Sequence, residues 1–106
     1  MITIVGLRGA GKTWTLMQVI KSWASYEGNY VLVVPDAEMC KCMRRDYPDE
    51  LANVEVISAH SIDILRGRGD VSGIFVDEWD LIGRKAQDAV AHGPWRVIAR
   101  TRFGDA

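Results

Sequence analysis

The chain has 106 residues, with 13 basic and 14 acidic side chains and a formal net charge of −1. That length predicts a single domain over residues 1–106. The composition, 48% hydrophobic and 25% charged, is ordinary for a globular protein and disfavours a disordered or fibrous chain. No apolar run approaches the roughly 20 residues that a membrane span needs, so no membrane partner is expected.

The beginning of the chain and its two cysteines predict a compartment. The first residues lack the basic segment of a secretory signal peptide. Cys40 and Cys42 lack the spacing and partners of a structural zinc site. We therefore expect two reduced thiols and a cytoplasmic protein, in the host cytoplasm if the protein is viral.

The first half of the chain alternates apolar runs with helical periodicity. Residues 2–5 are a short apolar run that ends at a glycine and predicts a buried strand. Residues 13–25 carry apolar side chains at helical spacing, and Gly28 ends that pattern. Residues 30–34 predict a second buried strand that stops at Pro35.

Asp36 is then placed to cap a helix that ends before Pro48. Residues 54–57 predict a third strand, which we expect near a sheet edge because it contains a charge. Ser61 is the predicted cap of a short helix that ends at Leu65.

The last part of the chain continues the same alternation. Residues 74–76 predict a fourth strand, residues 82–91 a helix, and residues 96–100 a fifth strand. The whole pattern predicts an α/β fold, with a five-stranded, mainly parallel sheet and helices on both faces. Because right-handed crossovers bring the carboxyl ends of the strands to one edge, we expect ligands there.

Residues 6–13 match the phosphate-loop pattern G-x-x-x-x-G-K-[ST] between a predicted strand and a predicted helix. Glycines let backbone N–H groups surround a phosphate, and the helix N-terminus faces the same anion. The lysine neutralises the β- and γ-phosphates, and the threonine hydroxyl reaches Mg²⁺. The predicted nucleotide-binding residues are Gly6, Arg8, Gly9, Ala10, Gly11, Lys12, Thr13 and Trp14.

Two carboxylates come directly after the fourth predicted strand. Asp77 is the candidate Mg²⁺ ligand with Thr13, and Glu78 is the candidate group that orients or deprotonates the attacking water. An acidic strand end is weak support by itself, since strands often end in an acidic turn. Together with Lys12, the pair predicts a catalytic site for a nucleoside triphosphate.

With these motifs, the chain resembles the P-loop NTPases of the additional-strand, catalytic-glutamate type, over essentially all 106 residues. The resemblance implies an ATPase that uses ATP and Mg²⁺, with Lys12 and Glu78 as catalytic residues. It also implies a further strand between those that carry the two motifs. The fifth predicted strand would take that place and bring Thr101 to the γ-phosphate as a catalytic sensor.

Two narrower resemblances suggest what the ATPase is for. Arg8 within the loop resembles the phosphate loop of viral DNA-packaging (terminase) ATPases. Residues 58–61 followed by residues 75–78 resemble the motif order of superfamily 1 helicases. Both imply ATP hydrolysis coupled to movement on DNA. Since a second motor domain and a nuclease are missing, we expect either a minimal ATPase that takes an arginine finger from another copy or a partner, or a piece of a longer motor.

Two other functions stay open. Thymidine kinases also combine a phosphate loop with a strand ending in Asp-Glu, but their following Gln and Phe are replaced here by Asp80 and Leu81. A non-catalytic nucleotide-binding module is the third possibility. For DNA contacts, the candidate basic clusters are Arg66, Arg68, Arg100 and Arg102, which would otherwise form a solvated rim. Trp79 would either stack on a base or cover the sheet edge.

Overall fold

The structure is a computed structural model, and it describes residues 1–6, 11–23 and 27–104. The strands are β1 (Ile2–Gly6), β2 (Asn29–Val34), β3 (Val54–Ser58), β4 (Val71–Val76) and β5 (Arg96–Phe103). The helices are α1 (Lys12–Trp23), α2 (Ala37–Asp46) and α3 (Arg84–His92), and short 3-10 helices cover Ala59–Leu65 and Trp79–Leu81.

The five strands form one sheet in the order β1-β5-β4-β2-β3. Every neighbouring pair is parallel. The predicted α/β class with a five-stranded parallel sheet is therefore confirmed, as are the place of β5 between β1 and β4 and the edge position of β3. Because all strands run the same way, the carboxyl ends of β1, β4 and β5 lie at one edge of the sheet.

Helices pack on both faces of the sheet and create two apolar cores. On one face, Leu16 and Ile20 of α1 and Met43 of α2 pack with Leu32 and Phe75 of the strands. The other core is built by the 3-10 helix Ala59–Leu65, by α3 and by the opposite side chains of β2 and β4. Its buried members include Val31, Val33, Ile62, Leu65, Ile74, Val76, Ala86 and Val90.

The prediction that the first strand is buried is wrong. Ile2 and Val5 of β1 are 45% and 50% exposed. Ile4 packs against the core under α1, so the side chain of Val5 alternates to the opposite face. Among the described strands, β1 pairs with β5 alone and so lies at a sheet edge. Its apolar sequence identifies a strand but does not specify how many neighbours cover it.

Two residues predicted to cap helices, Asp36 and Ser61, both lie where a helical turn begins. Asp36 caps α2, and its Oδ1 accepts a hydrogen bond of 2.9 Å from the backbone N–H of Met39. Ser61 lies at a kink within the 3-10 helix Ala59–Leu65, with a non-helical φ of −104° and ψ of 21°, and the turn that follows it ends at Leu65 as predicted. β4 and β5 are also longer than predicted, since their pairing continues beyond the most apolar residues.

Candidate functional site

Three chain segments meet at the carboxyl edge of the sheet. α1 begins at Lys12, Asp77 directly follows β4, and Thr101 lies near the end of β5. The placement results from the parallel topology, in which β5 separates the strand before the phosphate-loop pattern from the strand before the two carboxylates. Residues distant in sequence thus come within hydrogen-bond reach of one another.

Asp77 is the centre of this site. Its side chain is fully buried, at 0% exposure. Oδ2 accepts a hydrogen bond of 3.0 Å from the hydroxyl of Thr13, and Oδ1 accepts one of 2.6 Å from the hydroxyl of Thr101. The backbone N–H of Asp77 donates to the carbonyl of Val33 at 3.0 Å, which continues the β2–β4 pairing. The carboxylate is therefore held on both oxygens and through the backbone.

Glu78 has an unusual backbone conformation. Its φ of 57° and ψ of 61° lie in the left-handed region, and it is the one residue other than glycine with positive φ in the described part of the chain. That conformation costs a residue with a Cβ roughly 1–2 kcal/mol. The Glu78 N–H donates to the Thr101 hydroxyl at 2.7 Å. Thr101 therefore holds both carboxylate-bearing residues, one by its side chain and the other by its backbone.

Lys12 is almost completely buried, at 7% exposure. Its ammonium nitrogen lies 4.8 Å from the centre of the Phe103 ring, within the range of a cation–π interaction. Phe103 is held by its own N–H, which donates to Oδ2 of Asp80 at 2.8 Å. Sequence reasoning missed Phe103. It lies two residues beyond Thr101, so strand alternation puts both on one face, and that spacing is the signal that could have found it.

A cavity of about 230 Å³ opens beside these groups. It is lined by Gly11, Lys12, Thr13, Trp14, Tyr47 and Glu78. Trp14, which is predicted to lie near the nucleotide, is 60% exposed and forms part of the cavity wall. Tyr47, which sequence reasoning missed, reaches the cavity from the end of α2. Burial raises the pKa of its phenol, and the nearby carboxylates of Asp46, Asp77 and Glu50 raise it further.

The glycine-rich part of the predicted phosphate loop is described at its two ends. Gly6 ends β1, and its carbonyl accepts a hydrogen bond of 3.1 Å from the N–H of Gly104. Gly11 has a φ of 76°, which favours glycine. Arg8, Gly9 and Ala10 lie outside the described residues. The loop itself therefore remains a sequence prediction, bounded by two residues whose positions are known.

The chemistry of a metal site can be judged from the oxygens present. Among the described residues, no group of three or more His, Cys, Asp or Glu side chains could hold a metal ion. Mg²⁺ needs fewer protein ligands than structural zinc, because it is bound through one or two carboxylates together with substrate phosphates. The Thr13 hydroxyl and the Asp77 carboxylate are hard oxygen ligands and fit that pattern. They suit a metal that arrives with a nucleotide.

The predicted basic residues do not form one patch. Arg66 and Arg68 precede β4 and lie at the amino edge of the sheet, whereas Arg100 and Arg102 lie towards the carboxyl end of β5. Arg68 forms ion pairs of 3.0 Å with Glu55 and with Asp70, which raise the pKa of its guanidinium. The two pairs of arginines are separated because a parallel sheet places the residues before a strand and those after it at opposite edges.

Trp79 and Arg100 contact each other at the edge that carries Asp77. The guanidinium carbon of Arg100 lies 4.7 Å from the centre of the Trp79 ring. Trp79 also packs against the core under α3, and its carbonyl accepts a hydrogen bond of 2.8 Å from Gln87. The Trp79 indole thus packs at the sheet edge and contacts Arg100. Covering the sheet edge was one of its two predicted roles, and stacking on a base stays a prediction.

Comparisons with known proteins leave the site to be judged on its geometry. No protein-family model matches the chain, and no curated protein is significantly similar to it. In the part of the chain that the structure describes, no helix is long and apolar enough to cross a membrane.

Proposed function

We propose that this protein binds a nucleoside triphosphate, ATP in the first instance, together with Mg²⁺ and hydrolyses it. The proposal depends most on the buried Asp77 carboxylate, which links the Thr13 hydroxyl at 3.0 Å to the Thr101 hydroxyl at 2.6 Å. A buried charge is costly unless it is paired or neutralised by a ligand. Here one partner comes from the start of α1, next to Lys12, which is where a triphosphate would be bound.

Each residue then has a distinct role. Residues 6–13 bind the phosphates, with Lys12 neutralising charge on the β- and γ-phosphates. Thr13 and Asp77 hold the metal, which supplies further neutralisation of the phosphate oxygens when it is bound. Glu78 lines the cavity and orients or deprotonates the attacking water. Trp14 forms the outer wall.

Thr101 is proposed as a positioning residue. Its hydroxyl donates to Asp77 and accepts from the Glu78 N–H, and its side chain is 0% exposed. These contacts favour a role in holding the Asp77 carboxylate and the Glu78 backbone over a direct contact with the γ-phosphate. We therefore place this buried hydroxyl between the metal ligand and the water-activating residue.

Coupling of hydrolysis to DNA is the purpose that we propose, in a packaging or helicase-like motor in the cytoplasm. It rests on the resemblance of the Arg8-containing loop to those motors, and on Arg100 and Arg102 at the same strand end as Thr101. Because Arg68 is engaged with Glu55 and Asp70, we assign the DNA contact to the β5 arginines. A second copy or a partner would supply an arginine finger.

Phosphate release from ATP, measured with Mg²⁺ and with or without DNA, tests this function. Lys12→Ala should abolish ATP binding, and Glu78→Gln should leave binding intact but reduce turnover by roughly 100-fold or more. Matched controls are Lys41→Ala and Glu38→Gln, which change exposed side chains of α2. Both controls should retain wild-type turnover.

The alternatives give different results in the same assay. Transfer of the γ-phosphate to thymidine, without release of free phosphate, would identify a nucleoside kinase. ATP binding that Lys12→Ala abolishes, without turnover of any kind, would identify a nucleotide-binding module. Absence of ATP binding by the folded chain would refute the proposal. Turnover that DNA does not stimulate would remove the coupling to DNA alone.

A further inference from the structure

A second cavity lies far from Asp77 and its partners. A cleft of about 300 Å³ opens between the end of the 3-10 helix Ala59–Leu65 and the segment that joins α3 to β5. These segments precede β4 and β5, so the cleft lies towards the amino edge of the sheet, opposite Asp77. We call it the α3 cleft. Its volume is at the lower end of the range for sites that bind small molecules.

The apolar wall of the α3 cleft is held in place by its own contacts. The Trp95 indole N–H donates to the carbonyl of Val90 at 2.8 Å. A Cβ at Gly93 would overlap the Trp95 ring, so the absence of a side chain there lets the indole pack closely against the Gly93 backbone. Ile62 and Leu65, which are 2% and 1% exposed, form the buried base of this wall, and Ala89 is partly exposed at its surface. A ligand would therefore meet a surface that needs little reorganisation.

Asp63 and Arg66 line the α3 cleft, and Lys85 neutralises Asp63 from outside it. The Asp63 carboxylate binds the Lys85 ammonium at 3.0 Å and the Arg66 guanidinium at 3.4 Å. The hydrogen bond from Lys85 holds the pKa of Asp63 below its usual range, so this carboxylate is ionised at neutral pH. The Asp63 carboxylate thus forms ion pairs with both Lys85 and Arg66. The Arg66 side chain, 81% exposed, keeps donors available for another anion.

We propose that the α3 cleft binds a small amphipathic anion, with its apolar body against Trp95 and Ala89 and its carboxylate beside Arg66. The volume of about 300 Å³ accommodates a body the size of a bicyclic aromatic ring. The planar guanidinium matches a carboxylate through two parallel hydrogen bonds. This site is independent of the proposed nucleotide chemistry, and its test requires no nucleotide.

The test is a titration of the isotopically labelled full chain, monitored by nitrogen–proton correlation NMR. The probes are 2-naphthoate and the neutral 2-naphthamide, which has nearly the same shape. We expect saturable shifts at the amides of residues 65–67, 89–93 and 95 with both probes, and tighter binding of the carboxylate. Arg66→Gln should weaken 2-naphthoate roughly two- to fivefold, as for an exposed ion pair, without changing 2-naphthamide.

Two further variants complete the design. Arg45→Gln removes an arginine of similar exposure from α2, on the other face of the sheet, and should leave both probes unaffected. Ala89→Leu should fill the cleft and prevent binding of both probes. Equal effects of Arg66→Gln and Arg45→Gln would refute the anion contact even if Ala89→Leu fails to fold. Absence of saturable shifts at the cleft in the wild-type chain would refute the site.

Discussion

Replacing Thr101 with valine removes one hydroxyl from the centre of the site and keeps the shape of the side chain. Thr101 is 0% exposed, so water cannot replace the lost group without a rearrangement. Oδ1 of Asp77 would lose its donor at 2.6 Å, and the Glu78 N–H would lose its acceptor at 2.7 Å. The fold would then contain a buried carboxylate held on one oxygen only.

The cost arises from the groups left without partners. A hydrogen bond to a charged group contributes about 1.5–3 kcal/mol, and a neutral one about 1 kcal/mol. The additional methyl of valine offsets part of this loss, since a buried methylene contributes about 0.8 kcal/mol. We therefore expect Thr101→Val to lower the free energy of unfolding by about 2–3 kcal/mol. Thr101→Ser keeps the hydroxyl and loses one methyl, at about 1 kcal/mol.

Urea unfolding at neutral pH, monitored by circular dichroism, measures both variants. With a slope of roughly 1–2 kcal/mol per molar urea for a small domain, the midpoint should fall by about 1–3 M in Thr101→Val. It should fall by less than about 1 M in Thr101→Ser. If Thr101→Val is as stable as Thr101→Ser or more so, the hydroxyl does not stabilise the buried carboxylate. The test does not depend on any enzymatic activity.

Three other substitutions examine separate features. Glu78→Gly should raise the free energy of unfolding by about 1 kcal/mol in urea, because glycine adopts the left-handed conformation freely; a loss of stability would contradict this. Gly93→Ala should lower the thermal midpoint, at a cost of about 1–3 kcal/mol, because its methyl overlaps Trp95; an unchanged midpoint would contradict it. Lys85→Met should raise the pKa of Asp63 towards its ordinary value in carbon-13 NMR titrations; an unmoved pKa would exclude Lys85 as the cause. Because the pKa of Asp63 is lowered in the folded chain, its ion pair with Lys85 stabilises the fold fully at pH values above the ordinary carboxyl pKa. This contribution is lost as the pH falls through the lowered pKa of the folded chain.

Much of the fold could be predicted because the local signals agree with the tertiary arrangement. Residues 30–34 are apolar throughout, and β2 is a central strand covered by helices on both faces. The acid at position 36 is followed by a helical pattern, and Asp36 caps α2. β1 shows where this reasoning fails. Its residues are nearly as apolar as those of β2, yet the described structure leaves it at an edge, because burial depends on strand order.

The candidate site divides in the same way. Lys12, Thr13, Asp77 and Glu78 could be selected from short patterns, since their chemistry requires particular residue types at fixed local spacing. Phe103 and Tyr47 could not, because an aromatic residue at a strand or helix end has many possible roles until its neighbours are known. The α3 cleft was also beyond prediction, because it forms where two segments distant in sequence leave a gap.

By itself, the sequence determined the α/β class and selected candidate residues for phosphate and metal binding, because strand and helix periodicity and motif spacing are local properties. Only the tertiary structure decided that Thr101 bridges Asp77 and Glu78, and that the two pairs of arginines lie at opposite ends of the strands. The physical reason is the parallel sheet. The strand order of the sheet determines which side chains become neighbours. Because all strands are parallel, the residues before each strand lie at one edge of the sheet and the residues after it lie at the other.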